Sequence, residues 1–163
     1  MVNQWYEIPV FYFSNPASVI GHGDLVYPPK NSSELDFELE IAAIIGTQAS
    51  DLPDDDSAMD CVAGFTIYND WSARDLQRNE MAVGLGPSKG KDFANALGPH
   101  LVPLSELQDR YQNGRLDLNM SASINGKIVR CGGTRASARP RQRGARAWWA
   151  PLKPRWRRSR PVP

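Results

Sequence analysis

The chain has 163 residues and a formal net charge of +1, but that figure hides two opposite parts: residues 1–129 hold 8 Lys or Arg and all 18 acids, a net −10, while residues 130–163 hold 11 Lys or Arg and no acid. The size admits one domain of about 130 residues with its own core, followed by a basic tail. No segment approaches the roughly 18 apolar residues of a membrane helix and no charged-then-apolar leader opens the chain, which points away from membrane and secretory classes and toward a reducing cytoplasm.

Val10-Phe-Tyr-Phe13 reads as a short apolar strand, and Gly21-His-Gly-Asp24 as a turn. Leu35-Asp-Phe-Glu-Leu-Glu-Ile41 alternates acid and apolar residues. As a strand it sends Phe37, Leu39 and Ile41 to one face and Glu38 and Glu40 together to the other. Two like charges side by side repel, so the pair needs either solvent or a cation. Asp51-Leu-Pro-Asp-Asp-Asp56 is an acidic loop without EF-hand spacing or a closing Glu, and reads as solvated.

Val62-Ala-Gly-Phe-Thr-Ile-Tyr68 is a second apolar strand, and Asp70 just beyond it could complete a three-carboxylate site for a hard divalent ion. Trp71-Ser-Ala-Arg-Asp-Leu-Gln-Arg78 reads as a helix opening off the strand end. That spacing puts Arg74 and Gln77 on one helical face, toward Asp70. Acids, a guanidinium and an amide at one junction suit a metal together with a carboxylate-bearing ligand. The alternative is a structural ion pair from Arg74 to Asp75 or Asp70.

Gly84-Leu-Gly-Pro-Ser-Lys-Gly-Lys91 invites comparison with a phosphate loop and fails it. Leu85 stands where the first Gly is required, Asp92 replaces the Ser or Thr after the Lys, and Pro87 removes an amide donor. The remaining readings are a mobile loop that presents Lys91, with Lys89, to an anionic intermediate, and a plain solvated loop. Ser105-Glu-Leu-Gln108 reads as one helical turn. Leu116-Asp-Leu-Asn-Met-Ser-Ala-Ser-Ile124 alternates as a half-buried strand, and Asn125-Gly126 is a strong hairpin signal, because a type I′ turn needs φ > 0 at both central residues. Lys127-Ile-Val129 begins the return strand, which is expected to stop there.

From Arg130 onward, 26 of 34 residues are Arg, Pro, Ala, Gly or Trp, with 5 Pro and 10 Arg. That is the composition of a GC-rich gene read out of frame, and the tail is expected to be disordered and to take no part in the sheet. Its rival is a basic, Trp-bearing arm for nucleic acid spanning Arg139 to Arg160, which the sudden start in mid-hairpin disfavours. The chain thus divides into 1–129 and 130–163. His22 and His100 each sit beside Gly or Pro and read as surface or supporting residues, and Cys61 with Cys131 implies no disulfide framework.

Three segments in order, Asp36-Phe-Glu-Leu-Glu40, Asn69-Asp-Trp-Ser-Ala-Arg-Asp-Leu-Gln77 and Leu85-Gly-Pro-Ser-Lys-Gly-Lys-Asp-Phe93, resemble the fumarylacetoacetate hydrolase family, as does Pro9–Gly21 upstream. The resemblance runs from about Trp5 to Val129. It implies a mainly β fold, a mixed-sheet roll or sandwich of the fumarylacetoacetase C-terminal type with short helices, usually as a homodimer. It implies Glu38, Glu40 and Asp70 as metal ligands, Arg74 and Gln77 as substrate contacts, and Lys91 as the catalytic cation that steadies an oxyanion or enolate. The implied ion is Mg²⁺, with Mn²⁺ or Ca²⁺ as alternatives. The implied activity is hydrolysis of a carbon–carbon bond in a β-diketo acid of fumarylacetoacetate or acylpyruvate type, in aromatic amino-acid catabolism. Isomerases and decarboxylases of 2-oxo dicarboxylates share that chemistry. Near Met81 some members carry a pocket Tyr that this sequence lacks. The family's further acid ligand and its general-base His precede the matching stretch, and its Gly-Thr-rich loop follows it, so the chain as printed is expected to be a weakly active or inactive fragment.

Overall fold

The computed structural model describes residues 11–53, 55–84, 86–112, 115–137 and 155–156. It is mainly β, as expected, with a mixed sheet and an antiparallel one. The long strand β2 (Leu35–Ile45) pairs antiparallel with β3 (Val62–Asp70), from Leu39↔Asn69 to Ile45↔Val62 with a bulge at Ile44/Ile45. Next to β3 lies β5 (Asn95–Leu97), which pairs antiparallel with it and parallel with β1 (Val19–Ile20).

The junction after β3 differs from the expected helix start. The pairing with β2 carries on past Trp71 in the same register, and Ser72–Ala73 forms a two-residue strand, β4, that pairs with Leu35 and Asp36. The helix α1 begins only at Arg74 and runs to Met81. Its start is tied to the preceding loop by Asp75, whose carboxylate accepts hydrogen bonds from the Ser32 hydroxyl (2.6 Å), the Ser33 amide (2.8 Å) and the Leu76 amide (2.9 Å). These donors, the Ser32 hydroxyl foremost, pull the Asp75 carboxyl down to about 2. A carboxyl depressed in the folded state adds stability that is complete above its ordinary unfolded pKa near 4 and lost as pH falls toward 2. Asp75→Asn should therefore flatten the stability profile between about pH 4 and pH 2, as read by urea midpoints across that window. An unchanged profile would rule Asp75 out as a contributor to acid sensitivity.

The second sheet orders β6 (Tyr111–Gln112), β7 (Arg115–Ile124) and β8 (Lys127–Ser137). Asn125 and Gly126 have φ of 49° and 75°, so the expected tight hairpin is present. Along β7, Leu116, Met120 and Ala122 are buried while Asp117, Asn119, Ser121 and Ser123 are exposed, which is the expected alternation. Leu116 packs with Met59 and Phe65, and Ala122 with Phe37, Trp71 and Ala94, so β7 lays its apolar face against the larger sheet.

The expected end of the return strand near Val129 is wrong. β8 continues to Ser137 and pairs with β7 as far as Arg115↔Ser137. A two-residue strand β9 (Arg155–Trp156) also pairs with Phe37 and Glu38 of β2, so residues beyond 129 do take part in both sheets. Ladder bonds use only backbone groups, so the exposed edge of β7 is satisfied by Gly and Arg as well as by apolar residues. The disorder expected of the tail, and the basic arm, fall largely on 138–154 and 157–163, outside the described residues.

Two smaller expectations also change. Phe11–Phe13 is not a strand, and Val10 lies outside the described residues. The turn at Ser105–Gln108 is two 3₁₀ turns, Leu104–Glu106 and Gln108–Arg110. The turn at His22–Gly23 is present. Among the described residues no helix is long and apolar enough to cross a membrane.

Candidate metal centre

Both faces of β2 are buried at its midpoint. Phe37 and Leu39 are buried, Phe37 against Trp71, Ala94 and Ala122, while Glu38 and Glu40 are 4% and 1% exposed on the other face. Asp70, also 1% exposed, joins them from the end of β3, and one carboxylate oxygen from each of the three lies within 4.8 Å of the others. Burial removes the solvated-face reading of the Glu pair. Like charges at that spacing repel by about 3 kcal/mol per pair at an effective dielectric of about 20, so the arrangement requires cations.

Lys91 supplies one. Its Nζ is 2.7 Å from Asp70 Oδ2, 3.1 Å from Glu38 Oε2 and 2.7 Å from Ser72 Oγ, and the residue is 1% exposed. It is therefore locked inside the site rather than carried on a mobile loop. Ser72 is placed by β4 and donates its own hydroxyl to the Asp70 carbonyl at 3.1 Å. Lys89, by contrast, is exposed beside an open groove with Tyr27, Asn79 and Phe93.

Arg74 supplies the second cation. Its Nε donates to Asp36 Oδ2 and its Nη1 to Glu38 Oε1, each at 2.8 Å. Nη1 also donates to Gln77 Oε1 at 2.8 Å, so the two side chains expected on one helical face do meet. The ion pairs are neither of the alternatives read from sequence. Pairing of β4 with Leu35 and Asp36 brings Arg74 beside β2, whereas Asp75 turns to Ser32 and Ser33.

The far side of the triad was not legible from spacing. The Tyr12 hydroxyl donates to Asp70 Oδ2, the same oxygen that Lys91 holds. Burial and then the Asp70 charge push the Tyr12 hydroxyl far above its ordinary range, so it is a neutral donor. The buried Asn95 accepts from the hydroxyls of Tyr68 and Ser14, and donates to Ser18 Oγ at 2.6 Å. That set fastens residues 14–18, and with them Tyr12, to β5. The Asn69 side chain accepts the Glu38 amide at 3.1 Å and so extends the β2–β3 pairing to the triad.

The donor set is wholly oxygen and wholly anionic, which suits a hard divalent cation. Among the described residues Asp36, Glu38 and Asp70 pair with the two cations Lys91 and Arg74, Glu40 adds a fourth carboxylate beside them, and a divalent ion would balance the charge of the whole group.

Comparison with known proteins agrees with this chemistry. The family model described as fumarylacetoacetate (FAA) hydrolase C-terminal matches residues 2–140. The fumarylacetoacetase of Arabidopsis thaliana is 36% identical over 120 residues, covering 64% of this chain and 28% of that protein. The oxaloacetate tautomerase of Bacillus subtilis is 35% identical over 127 residues, covering 77% of this chain and 40% of that one. Among solved structures, fumarylpyruvate hydrolase from Pseudomonas aeruginosa in complex with Mn²⁺ and pyruvate superposes with a TM-score of 0.59 at 25% identity, covering 76% of this chain and 53% of that one. The chain spans about half the length, or less, of the curated relatives it matches.

Proposed function

The chain belongs to the fumarylacetoacetate hydrolase family, and from that premise we propose that it carries the metal-holding half of an enzyme that hydrolyses a carbon–carbon bond in a β-diketo acid of fumarylacetoacetate or acylpyruvate type. The observation that supports this most is the convergence of the buried carboxylates Glu38, Glu40 and Asp70, with the buried Nζ of Lys91 against Glu38 and Asp70. The three carboxylates would hold Mg²⁺ or Mn²⁺, with Ca²⁺ a weaker fit, and Mn²⁺ is the ion in the related fumarylpyruvate hydrolase. Such an ion supplies Lewis-acid polarisation of a substrate carbonyl.

The chain's own residues do the rest. Lys91, fixed by Asp70 and Ser72, presents a positive charge where negative charge develops on a substrate oxygen. Arg74 uses three of its N–H donors on Asp36, Glu38 and Gln77, which fixes the plane of the guanidinium. Its other donors then meet a substrate carboxylate in a set orientation, with Gln77 alongside. A homodimer and a cytoplasmic setting belong to the same proposal.

The similarity to an oxaloacetate tautomerase favours a second reading, proton transfer within a 2-oxo dicarboxylate, by the same residues. Acetylpyruvate cleavage and oxaloacetate keto–enol exchange, each followed with and without Mn²⁺, distinguish the two. The expected result is slow, Mn²⁺-dependent release of pyruvate from acetylpyruvate that disappears in Asp70→Asn. Exchange without cleavage selects the tautomerase reading. Neither reaction at saturating Mn²⁺ counts against both.

A further inference from the structure

The Gly-rich segment before Lys91 does cradle an anion, and the anion is Glu80. From the last turn of α1, Glu80 Oε2 accepts the amides of Ser88 (2.9 Å) and Gly90 (3.0 Å), and Oε1 accepts the amide of Lys89 (2.7 Å). Burial pushes the Glu80 carboxyl up, but the three amides together outweigh it and hold the group below its ordinary range. Consecutive N–H groups turned to one point form an anion-binding nest, here filled from within the chain.

The nest is joined to the catalytic lysine by a short run of bonds. The Ser88 carbonyl accepts the amides of Lys91 (2.9 Å) and Asp92 (3.0 Å), so the segment that Glu80 gathers also sets the backbone of Lys91. On its other side the Gly90 carbonyl accepts the Ala73 amide at 2.7 Å. A Cβ at Gly90 would lie 2.7 Å from the Gln77 amide nitrogen, so only glycine lets the loop sit this close to α1. One short helix thus carries Arg74 and Gln77 toward the site at its start and fixes the Lys91 loop at its end.

We infer that Glu80 is a positioning residue for Lys91: its carboxylate holds the 88–90 backbone so that Lys91 Nζ would meet an oxygen of a ligand bound at the ion that Glu38, Glu40 and Asp70 would hold. The inference rests on the proposed role of Lys91. Replacing Glu80 by Gln leaves one oxygen, which can keep the Ser88 and Gly90 amides but not that of Lys89. Replacement by Ala removes all three acceptors.

The test is Mn²⁺-dependent binding of oxalate, a small dianion with adjacent carboxylate oxygens, measured by calorimetry on the whole chain. Lys91→Met should weaken oxalate binding about 10–100-fold, the worth of one charge-assisted hydrogen bond. Glu80→Ala should weaken it about 10-fold and Glu80→Gln about threefold, with Mn²⁺ affinity kept within threefold in both. In the Lys91→Met background neither Glu80 change should weaken it further, because the two residues act through one contact. A Lys91→Met effect with none from Glu80 overturns the inference and leaves the functional proposal standing. No effect from Lys91→Met overturns both. Parallel loss of Mn²⁺ binding in Glu80→Ala also overturns it, since the role is then general support of the site. Should Glu80→Ala not fold, the threefold loss in Glu80→Gln and its disappearance in the Lys91→Met background decide the matter.

Discussion

Lys91→Met should destabilise the metal-free protein by about 3–5 kcal/mol, and Mn²⁺ should restore a large part of that loss. The first half follows from burial. Lys91 compensates Asp70 at 2.7 Å and Glu38 at 3.1 Å, all three at most 5% exposed, and removing one member of such a cluster leaves the others uncompensated. The second half follows from the site itself: if the three carboxylates take a divalent ion, the ion replaces the missing charge. Denaturant titrations in chelator and in millimolar Mn²⁺ read both halves. A loss of the expected size that Mn²⁺ does not narrow would mean that Lys91 is a structural counter-ion and that no metal enters.

In the parent chain, Mg²⁺ or Mn²⁺ should raise the unfolding temperature. An ion at 100 times its dissociation constant stabilises the folded state by about 2.7 kcal/mol, which for a chain of this size is about 5–10 °C. Glu40→Gln is the sharpest control. It removes one of the three candidate ligands while keeping the contacts of Glu38 with Arg74 and Lys91. The response should then fall to under a third. A full response in Glu40→Gln, seen by thermal melts over the same metal range, would place the ion elsewhere.

The parts of this site that lie on one strand were readable from the sequence, because a period of two forces Glu38 and Glu40 to share a face. Asp70 was readable as the end of an apolar run. What was hidden came from pairing between distant segments. Arg74 met Asp36 and Glu38 because Ser72–Ala73 formed a strand against Leu35 and Asp36, and a two-residue strand has no periodicity to detect. Tyr12 reaches Asp70 across 58 residues of chain, and Asn95 holds Ser14 across 81. Neither contact leaves a local pattern. Glu80 had a weak signal, an acid shortly before a Gly-rich loop, where a carboxylate of the chain can fill the place a phosphate would take. The length of β8 was hidden for a different reason. Composition governs which side chains suit a strand, but the free edge of β7 selects for backbone donors and acceptors, which Gly132 and Gly133 supply as well as valine.

The proposed chemistry of the site stands or falls on whether Glu38, Glu40 and Asp70 hold one divalent cation beside Lys91. Anomalous scattering from a crystal of the chain grown with Mn²⁺ tests it most directly. A single strong anomalous peak is expected within bonding distance, about 2.0–2.3 Å, of one oxygen from each of the three carboxylates, with Lys91 Nζ beside it. A peak at some other group of acids, or none between these three at saturating Mn²⁺, would contradict it.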